Sequence, residues 1–200
     1  MKLILIRHGE TEKNVKGKLH SAQDSESLNE TGKEQLLVTA KAIKEYAPTT
    51  VYSSHENRAI QSGKLLAEAL SLPFEQLDGL EERNWGVFSG RPWSDVSEVL
   101  SPMSLEERYE YIPENGESWK TFETRLIKAI DSAIAKNNGK NIVVVSHGGA
   151  IRALMPYLLG VPKEESFKYD PDNASITAFE WNGQSFSKIV VNDTSHLSVS

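Results

Sequence analysis

The chain has no cysteine. That excludes disulfides, thiolate metal sites and every hydrolytic mechanism that begins with a thiol nucleophile. Basic clusters are missing as well: 22 Lys and Arg stand against 28 Asp and Glu, a formal net charge of -6. A broad nucleic-acid surface needs grouped Lys and Arg to neutralise phosphates, so no nucleic-acid partner is expected, and an anionic ligand would have to be caught by local positive charge. Long apolar runs are also lacking. The one near the start, Leu3 to Ile6, stops at Arg7-His8, far short of a signal-peptide core or a membrane span, and the expectation is a cytoplasmic protein with no membrane partner.

What remains is ordinary globular material: 200 residues, 38% hydrophobic and 25% charged. A single core at this length can bury roughly 70% of the surface of the unfolded chain, so one domain over 1–200 is expected rather than two. No internal repeat, low-complexity tract or linker interrupts it.

Lys2 to Ile6 is almost continuously apolar, the pattern of a strand covered on both faces in a parallel sheet. Thr31-Gly32 leads into a helix with Leu36, Leu37, Ala40 and Ile43 on its apolar side, closed by Pro48. Thr50 to Tyr52 reads as a second strand. Ala59, Leu65, Leu66, Ala69 and Leu70 give the following helical stripe. Between about 77 and 116 the periodicity weakens, with Gly79, Gly86, Gly90 and Pro92 as punctuation, and an irregular insertion with one or two short helices is expected. Trp119, Phe122, Leu126, Ile130 and Ile134 then make a long amphipathic helix with a stop at Asn138-Gly139. Ile142 to Val145 is a buried strand, followed by a helix through Leu154 and Leu158. Ser175 to Trp181 and Phe186 to Val191, around Asn182-Gly183, predict a closing hairpin. The pattern is α/β: a three-layer α/β/α sandwich on a mainly parallel central sheet. Oligomeric state is left open, since the hairpin edge carries Lys188 and Asn192, which blunt it without closing it.

Two histidines stand out. His8 and His147 each follow a buried strand directly and precede a glycine. Ligands of open α/β sheets bind at the carboxyl ends of the strands, so both imidazoles belong on that edge, and in one pocket if their strands are neighbours. Arg7 adjoins His8, and Arg58 lies shortly after the second strand; guanidinium is the planar, permanently charged group that suits phosphate. Two histidines, two arginines and a carboxylate, with no cysteine and no glycine-rich nucleotide loop, suggest phosphoryl transfer through a histidine nucleophile.

Arg7-His8-Gly9-Glu10-Thr11 resembles the signature of the histidine phosphatase, or phosphoglycerate mutase-like, superfamily. The resemblance continues with Asn14, Ser53-Ser54 with Arg58-Ala59 and Gln61, Leu80-Glu81-Glu82 ahead of Gly86 and Gly90, Gly116-Glu117-Ser118, and Ser146-His147-Gly148. It implies a phosphoglycerate mutase-like fold and a histidine acid-type phosphatase, a phosphoric monoester hydrolase with a phosphohistidine intermediate and neither metal nor cofactor. By the same resemblance His8 is the nucleophile. Arg7, Arg58 and His147 hold the phosphoryl oxygens, Asn14 and the Gly148 N–H add donors, and Glu82 is the general acid and base, ahead of Glu81. For His8 to attack phosphorus, one ring nitrogen must be unprotonated and the other should donate to a carbonyl.

Mutases of this family carry a Lys about ten residues after the acid and an adjacent Arg pair. Here Trp93 stands eleven residues past Glu82, and Arg83, Arg91 and Arg108 are isolated. A phosphatase of a small phosphorylated metabolite is therefore preferred to a cofactor-dependent phosphoglycerate mutase or a non-catalytic phospho-ligand module. A metal site of His8, His147 and Glu82 is disfavoured because neighbouring arginines repel a cation. Arg152 is read as capping or pairing on its helix, away from the pocket, His20 and His55 as unremarkable loop histidines, and His196 as part of a mobile tail. Trp85, Phe88, Trp93, Tyr109 and Tyr111 are read as a small core within the insertion rather than a substrate wall.

Overall fold

The computed structural model describes residues 1–20 and 25–198; the expected domain 1–200 thus has residues 21–24 and 199–200 outside that range. Among the described residues the strands are β1 (Lys2–Arg7), β2 (Thr50–Ser53), β3 (Phe74–Gln76), β4 (Ile142–Ser146), β5 (Ile176–Trp181) and β6 (Phe186–Asp193). They form one sheet in the order β3-β2-β4-β1-β5-β6. The β3, β2, β4 and β1 strands pair in parallel, and β5 and β6 add an antiparallel edge. The helices are α1 (Glu12–Val15), α2 (Glu30–Ile43), α3 (Asn57–Leu70), α4 (Trp93–Leu100), α5 (Leu105–Glu110), α6 (Trp119–Asn137) and α7 (Gly148–Leu159).

The apolar strands split their side chains between two cores, as the two-residue period of a strand requires. Leu3 and Leu5 of β1 with Ile142 and Val144 of β4 pack with α6 and α7. Ile4 and Ile6 with Val143 and Val145 pack with α2 and α3 on the other face. All eight are fully buried, each stabilising the fold by about 1.5–3 kcal/mol. A polar residue has no solvated face to turn to in either strand, which is why both read as unbroken apolar runs.

Caps hold the helix starts. Asn29 Oδ1 accepts from the Gly32 N–H at 2.8 Å ahead of α2, and Ser118 Oγ accepts from the Thr121 N–H at 3.0 Å ahead of α6. Gly9 lies so close to α2 that a Cβ there would meet Gly32 O at 2.5 Å, so the loop leaving β1 is pressed against the first turn of that helix.

Residues 77–118 leave the sheet and carry α4 and α5. Trp85, Phe88 and Val96 form a small core there, with Leu19, Val99 and Leu100 against it. Backbone bonds Leu19 N–H to Arg91 O (2.9 Å) and Gly90 N–H to Leu19 O (3.0 Å) join this segment to the loop after α1.

Some local expectations differ. β3 is a three-residue strand, too short to show alternation. The hairpin has Gly183-Gln184 at its tip, because Asn182 N–H bonds Ser185 O and Asn182 Oδ1 accepts from the Gln184 and Ser185 N–H groups. Asn138 takes the left-handed stop of α6, with φ 47°, ahead of Gly139. His196 does not lie in a loose tail: its Nε2 is 2.9 Å from Thr39 Oγ1, within a 3-10 turn at Ser195–Ser198. No helix among the described residues is long and apolar enough to cross a membrane.

Candidate active site

Parallel pairing of β1 with β4 sets Arg7 opposite Ser146, so the next residue of each chain leaves the sheet at the same level. These are His8 and His147. His8 N–H donates to Ser146 O at 3.0 Å, and the two rings are 5.3 Å apart, centroid to centroid. Both are essentially buried, 2% and 0% exposed. His8 Nδ1 is 2.8 Å from Gly9 O. A carbonyl only accepts, so Nδ1 carries the proton and Nε2 keeps its lone pair. Burial, then Arg58 and Arg7, hold His8 well below the usual imidazole range, which keeps the ring neutral.

β2 ends beside β4 and delivers a third group of residues to this edge. Arg58, in the first turn of α3, is 1% exposed, and its Nε donates to His8 Nε2 at 3.3 Å. Arg7 reaches the pocket from β1, with Nη1 donating to Pro171 O at 2.6 Å. Asn14 Oδ1 accepts from the Thr11 N–H and hydroxyl at 3.1 and 3.0 Å, which pins its amide at the cavity wall. Gly148 opens α7, whose first-turn N–H groups have no acceptor within the helix, and a Cβ there would stand 3.3 Å from Arg7 Nε.

Glu82 arrives from 77–118. Its Oε2 accepts from the Gly149 N–H at 2.9 Å and its Oε1 from the Arg83 N–H at 2.8 Å. The loop carrying it is held from several sides. Ser146 Oγ donates to Leu80 O at 2.7 Å, and Arg125 of α6 donates to Gly79 O, Glu81 O and Glu82 O at 2.9–3.0 Å and to the Glu117 carboxylate at 2.7 Å. Glu81 itself faces away, its Oε2 accepting from the Gly79 N–H at 2.9 Å.

The structure therefore brings Arg7, His8, Asn14, Arg58, Glu82, His147 and Gly148 to one edge of the sheet. A cavity of about 540 Å³ opens there, lined by Arg7, His8, Asn14, Glu82 and Gly148, with Trp85, Trp93, Trp119 and Phe167 on its wall. Trp85 and Phe88 thus build the small core that was the preferred reading, Trp85 and Trp93 also line the cavity as in the reading weighed beside it, and Tyr109 packs instead against the core under α6 and α7. Arg152 also lines the cavity, contrary to its reading as lying away from the pocket; it donates to Tyr169 O and to Asp170 Oδ1. His20 is likewise at the site, 5.6 Å edge-on from His8 and 3.0 Å from Thr11 Oγ1. His55 stays outside, on Asp78 and Gln76.

Sequence reasoning quoted Ser54 without giving it a role, and missed Glu56 and Arg125. Ser54 and Glu56 sit inside the strand-end segment that carries Arg58, and a carboxylate two residues before that arginine was the available signal. Arg125 lies on the polar side of a helix and left none. Among the described residues no group of three or more His, Asp and Glu side chains is arranged to hold a metal ion.

Residues 3–194 match the family model described as histidine phosphatase superfamily (branch 1). The chain is 31% identical over 202 residues to the metal-independent phosphoserine phosphatase of Arabidopsis thaliana, covering 98% of this chain and 83% of that protein. It is 29% identical over 210 residues to "Probable phosphoglycerate mutase GpmB" of Yersinia pestis (strain Pestoides F), covering 98% and 95%. It superposes with a TM-score of 0.83 and 26% identity, over 98% of each chain, on the crystal structure of a phosphoserine phosphatase mutant from Entamoeba histolytica in complex with phosphoserine.

Proposed function

The chain belongs to the histidine phosphatase superfamily, and on that premise we propose that it is a phosphomonoesterase in which His8 takes the phosphoryl group from a small phosphorylated metabolite and passes it to water. The observation that carries this is the Nδ1 bond of His8 to Gly9 O at 2.8 Å. It fixes the tautomer in which Nε2 is nucleophilic, beside a guanidinium that can follow the charge to phosphorus.

In the first step Nε2 attacks phosphorus as the bond to the ester oxygen breaks, and Glu82, protonated, gives its proton to the departing alkoxide. In the second step Glu82 takes a proton from water as the water oxygen attacks the phosphohistidine, releasing phosphate and restoring His8. Arg7 and Arg58, with Asn14 and the Gly148 N–H, stabilise the charge on the phosphoryl oxygens in both steps, and donors already in position need little reorganisation; His147 stands beside them against the same oxygens. No metal takes part.

Phosphatase rather than mutase is supported by the state of the arginines in 77–118. Arg83 is buried, donating to Tyr111 O and Glu117 O and stacked 4.2 Å from the Trp85 ring. Arg108 donates to Met103 O and Ser101 O. Both line the cavity, but with Nε and Nη2 of each held on backbone carbonyls neither is free to turn that edge to a glycerate carboxylate. The aromatic wall of a cavity near 540 Å³ favours an ester whose alcohol carries apolar or planar surface; phosphoserine, bound in a similar solved structure, is the polar alternative.

The test is hydrolysis of p-nitrophenyl phosphate in EDTA by the wild type and His8→Ala, with 3-phosphoglycerate supplied separately. Activity lost only in the variant supports the reading; conversion of 3-phosphoglycerate to 2-phosphoglycerate replaces it with a mutase.

A further inference from the structure

The step just proposed leaves one buried carboxylate without a task. Glu56 is 3% exposed and stands where α3 begins, yet its side chain turns from the helix to the phosphoryl pocket. Its Oε2 is 3.0 Å from His147 Nε2 and touches Arg58 Nη2. Ser54 Oγ lies 2.7 Å from the same Nε2 and accepts from the Glu56 N–H at 3.4 Å.

These contacts decide where the His147 proton sits. An ionised carboxylate only accepts, so a nitrogen 3.0 Å from it carries hydrogen, and the Nε2–H tautomer follows. His147 Nδ1 is then the unprotonated nitrogen. It is buried and has no hydrogen-bond partner among the described residues. A lone pair there would repel a phosphoryl oxygen, whereas an N–H would bind it. Only an imidazolium supplies N–H groups at both ends.

We propose that Glu56 is a positioning residue for phosphoryl transfer: by holding the proton on His147 Nε2 it lets Nδ1 take up a second proton as the phosphoryl group enters, so that His147 presents a cationic N–H to a phosphoryl oxygen. The inference rests on the phosphohistidine reading. The proton is the one a phosphomonoester monoanion carries, or comes from solvent when the dianion binds, and it leaves with phosphate. Burial, then Arg58, His8, His20 and Arg7, keeps His147 well below its usual range; an arriving anion offsets those cations on one side while Glu56 does so on the other. The charged or titratable groups around this ring are Arg7 from the end of β1 and His8 directly after it, His20 from the loop after α1, Glu56 at the N-cap of α3 and Arg58 in its first turn, and Glu82 from the loop after β3.

The experiment uses the full chain, p-nitrophenyl phosphate and EDTA across pH 5–9. Glu56→Gln, nearly the same shape without the charge, lowers kcat/KM on the order of 10–100-fold, the usual effect of removing a carboxylate partner of a functional histidine. The alkaline limb of its kcat/KM profile moves about one pH unit lower, because the imidazolium loses its counter-charge. Glu56→Asp restores part of both. In a His147→Ala background the Gln substitution changes kcat/KM less than about threefold, since the residue acts through His147. An unmoved alkaline limb, or an equal loss in the His147→Ala background, overturns the inference. Should Glu56→Gln fail to fold, ¹⁵N spectra of the wild-type histidine rings decide: one protonated nitrogen on His147 without inorganic phosphate and two with it are expected, and an unprotonated Nε2 overturns it. An active His8→Ala protein overturns the phosphohistidine reading itself, whereas an inactive one with an unmoved Glu56→Gln limb overturns this inference alone.

Discussion

Glu82 Oε2 accepts a 2.9 Å hydrogen bond from the Gly149 N–H, and a Cβ on Gly149 would stand 2.3 Å from Glu82 Oε1. The Glu82 carboxylate can seat this closely on the first turn of α7 because Gly149 has no side chain there. The proposed acid is thereby held one residue from Gly148 and two from His147.

Gly149→Ala is accordingly expected to displace Glu82 while leaving the sheet intact, since alanine is a better helix former. We expect kcat on p-nitrophenyl phosphate to fall on the order of 100-fold, as for a displaced acid–base group, with a far-ultraviolet spectrum like the wild type. Near-normal turnover would show that the carboxylate needs no such seat.

Arg125 is the second support of that carboxylate. Arg125→Met removes the donors to Gly79 O, Glu81 O and Glu82 O and leaves the Glu117 carboxylate with the Asn84 N–H but no cation. Partly buried acceptors left unmatched cost about 1–3 kcal/mol each before water relieves them, so urea unfolding should show a loss of about 2–4 kcal/mol. Turnover should drop more than phosphate affinity. An Arg125→Met protein with wild-type stability and kcat contradicts this.

His8 and His147 also set a pH dependence of stability. Burial, then Arg58, holds both folded rings well below 6.5, while in the unfolded chain they titrate near pH 6.5. Below that pH the unfolded state binds protons that the folded state refuses. Their contribution is fully present above about pH 6.5 and declines as pH falls, by up to about 1.4 kcal/mol per pH unit for each ring. Urea midpoints at pH 7.5, 6 and 5 check this. The slope should be shallower in His8→Asn/His147→Asn, and an equal slope in that variant would assign the acid sensitivity to other groups.

Covalent catalysis predicts a trapped intermediate. Rapid acid-free quenching of the wild type with a ³²P-labelled phosphomonoester should leave acid-labile, base-stable label on the protein, absent in His8→Ala and unaffected by EDTA. Label retained by His8→Ala would move the nucleophile elsewhere.

The aromatic wall gives a substrate prediction. Trp93 is half-exposed and meets Trp85 edge-on at 5.5 Å between centroids, so Trp93→Ala should raise KM for aryl phosphates several-fold, as removal of an apolar contact does, and leave KM for phosphoserine nearly unchanged. Equal effects on both would mean that the wall supports the segment 77–118 and does not contact substrate.

Much of this protein is legible along the chain because the signals are local. Leu3 to Ile6 and Ile142 to Val145 announce strands buried on both faces, and the residue that follows each must emerge at the sheet edge; that alone singles out His8 and His147. Pairing β1 with β4 was a condition the chain could state but not meet. Whether two strands 140 residues apart are neighbours depends on the packing of α6 and α7 over one face and α2 and α3 over the other. The same dependence hid the contacts from Glu56 to His147, from Arg125 to the Glu82 loop, and from His196 to Thr39. Sequence by itself determined which residues end strands, which stretches are apolar on one side or two, and that no thiol takes part. Tertiary structure alone decided which strand ends meet, which carboxylate turns inward, and that Gly149 and Glu82 touch, because hydrogen bonds and charges act over a few ångströms and only the folded sheet brings residues so far apart in the chain within that range.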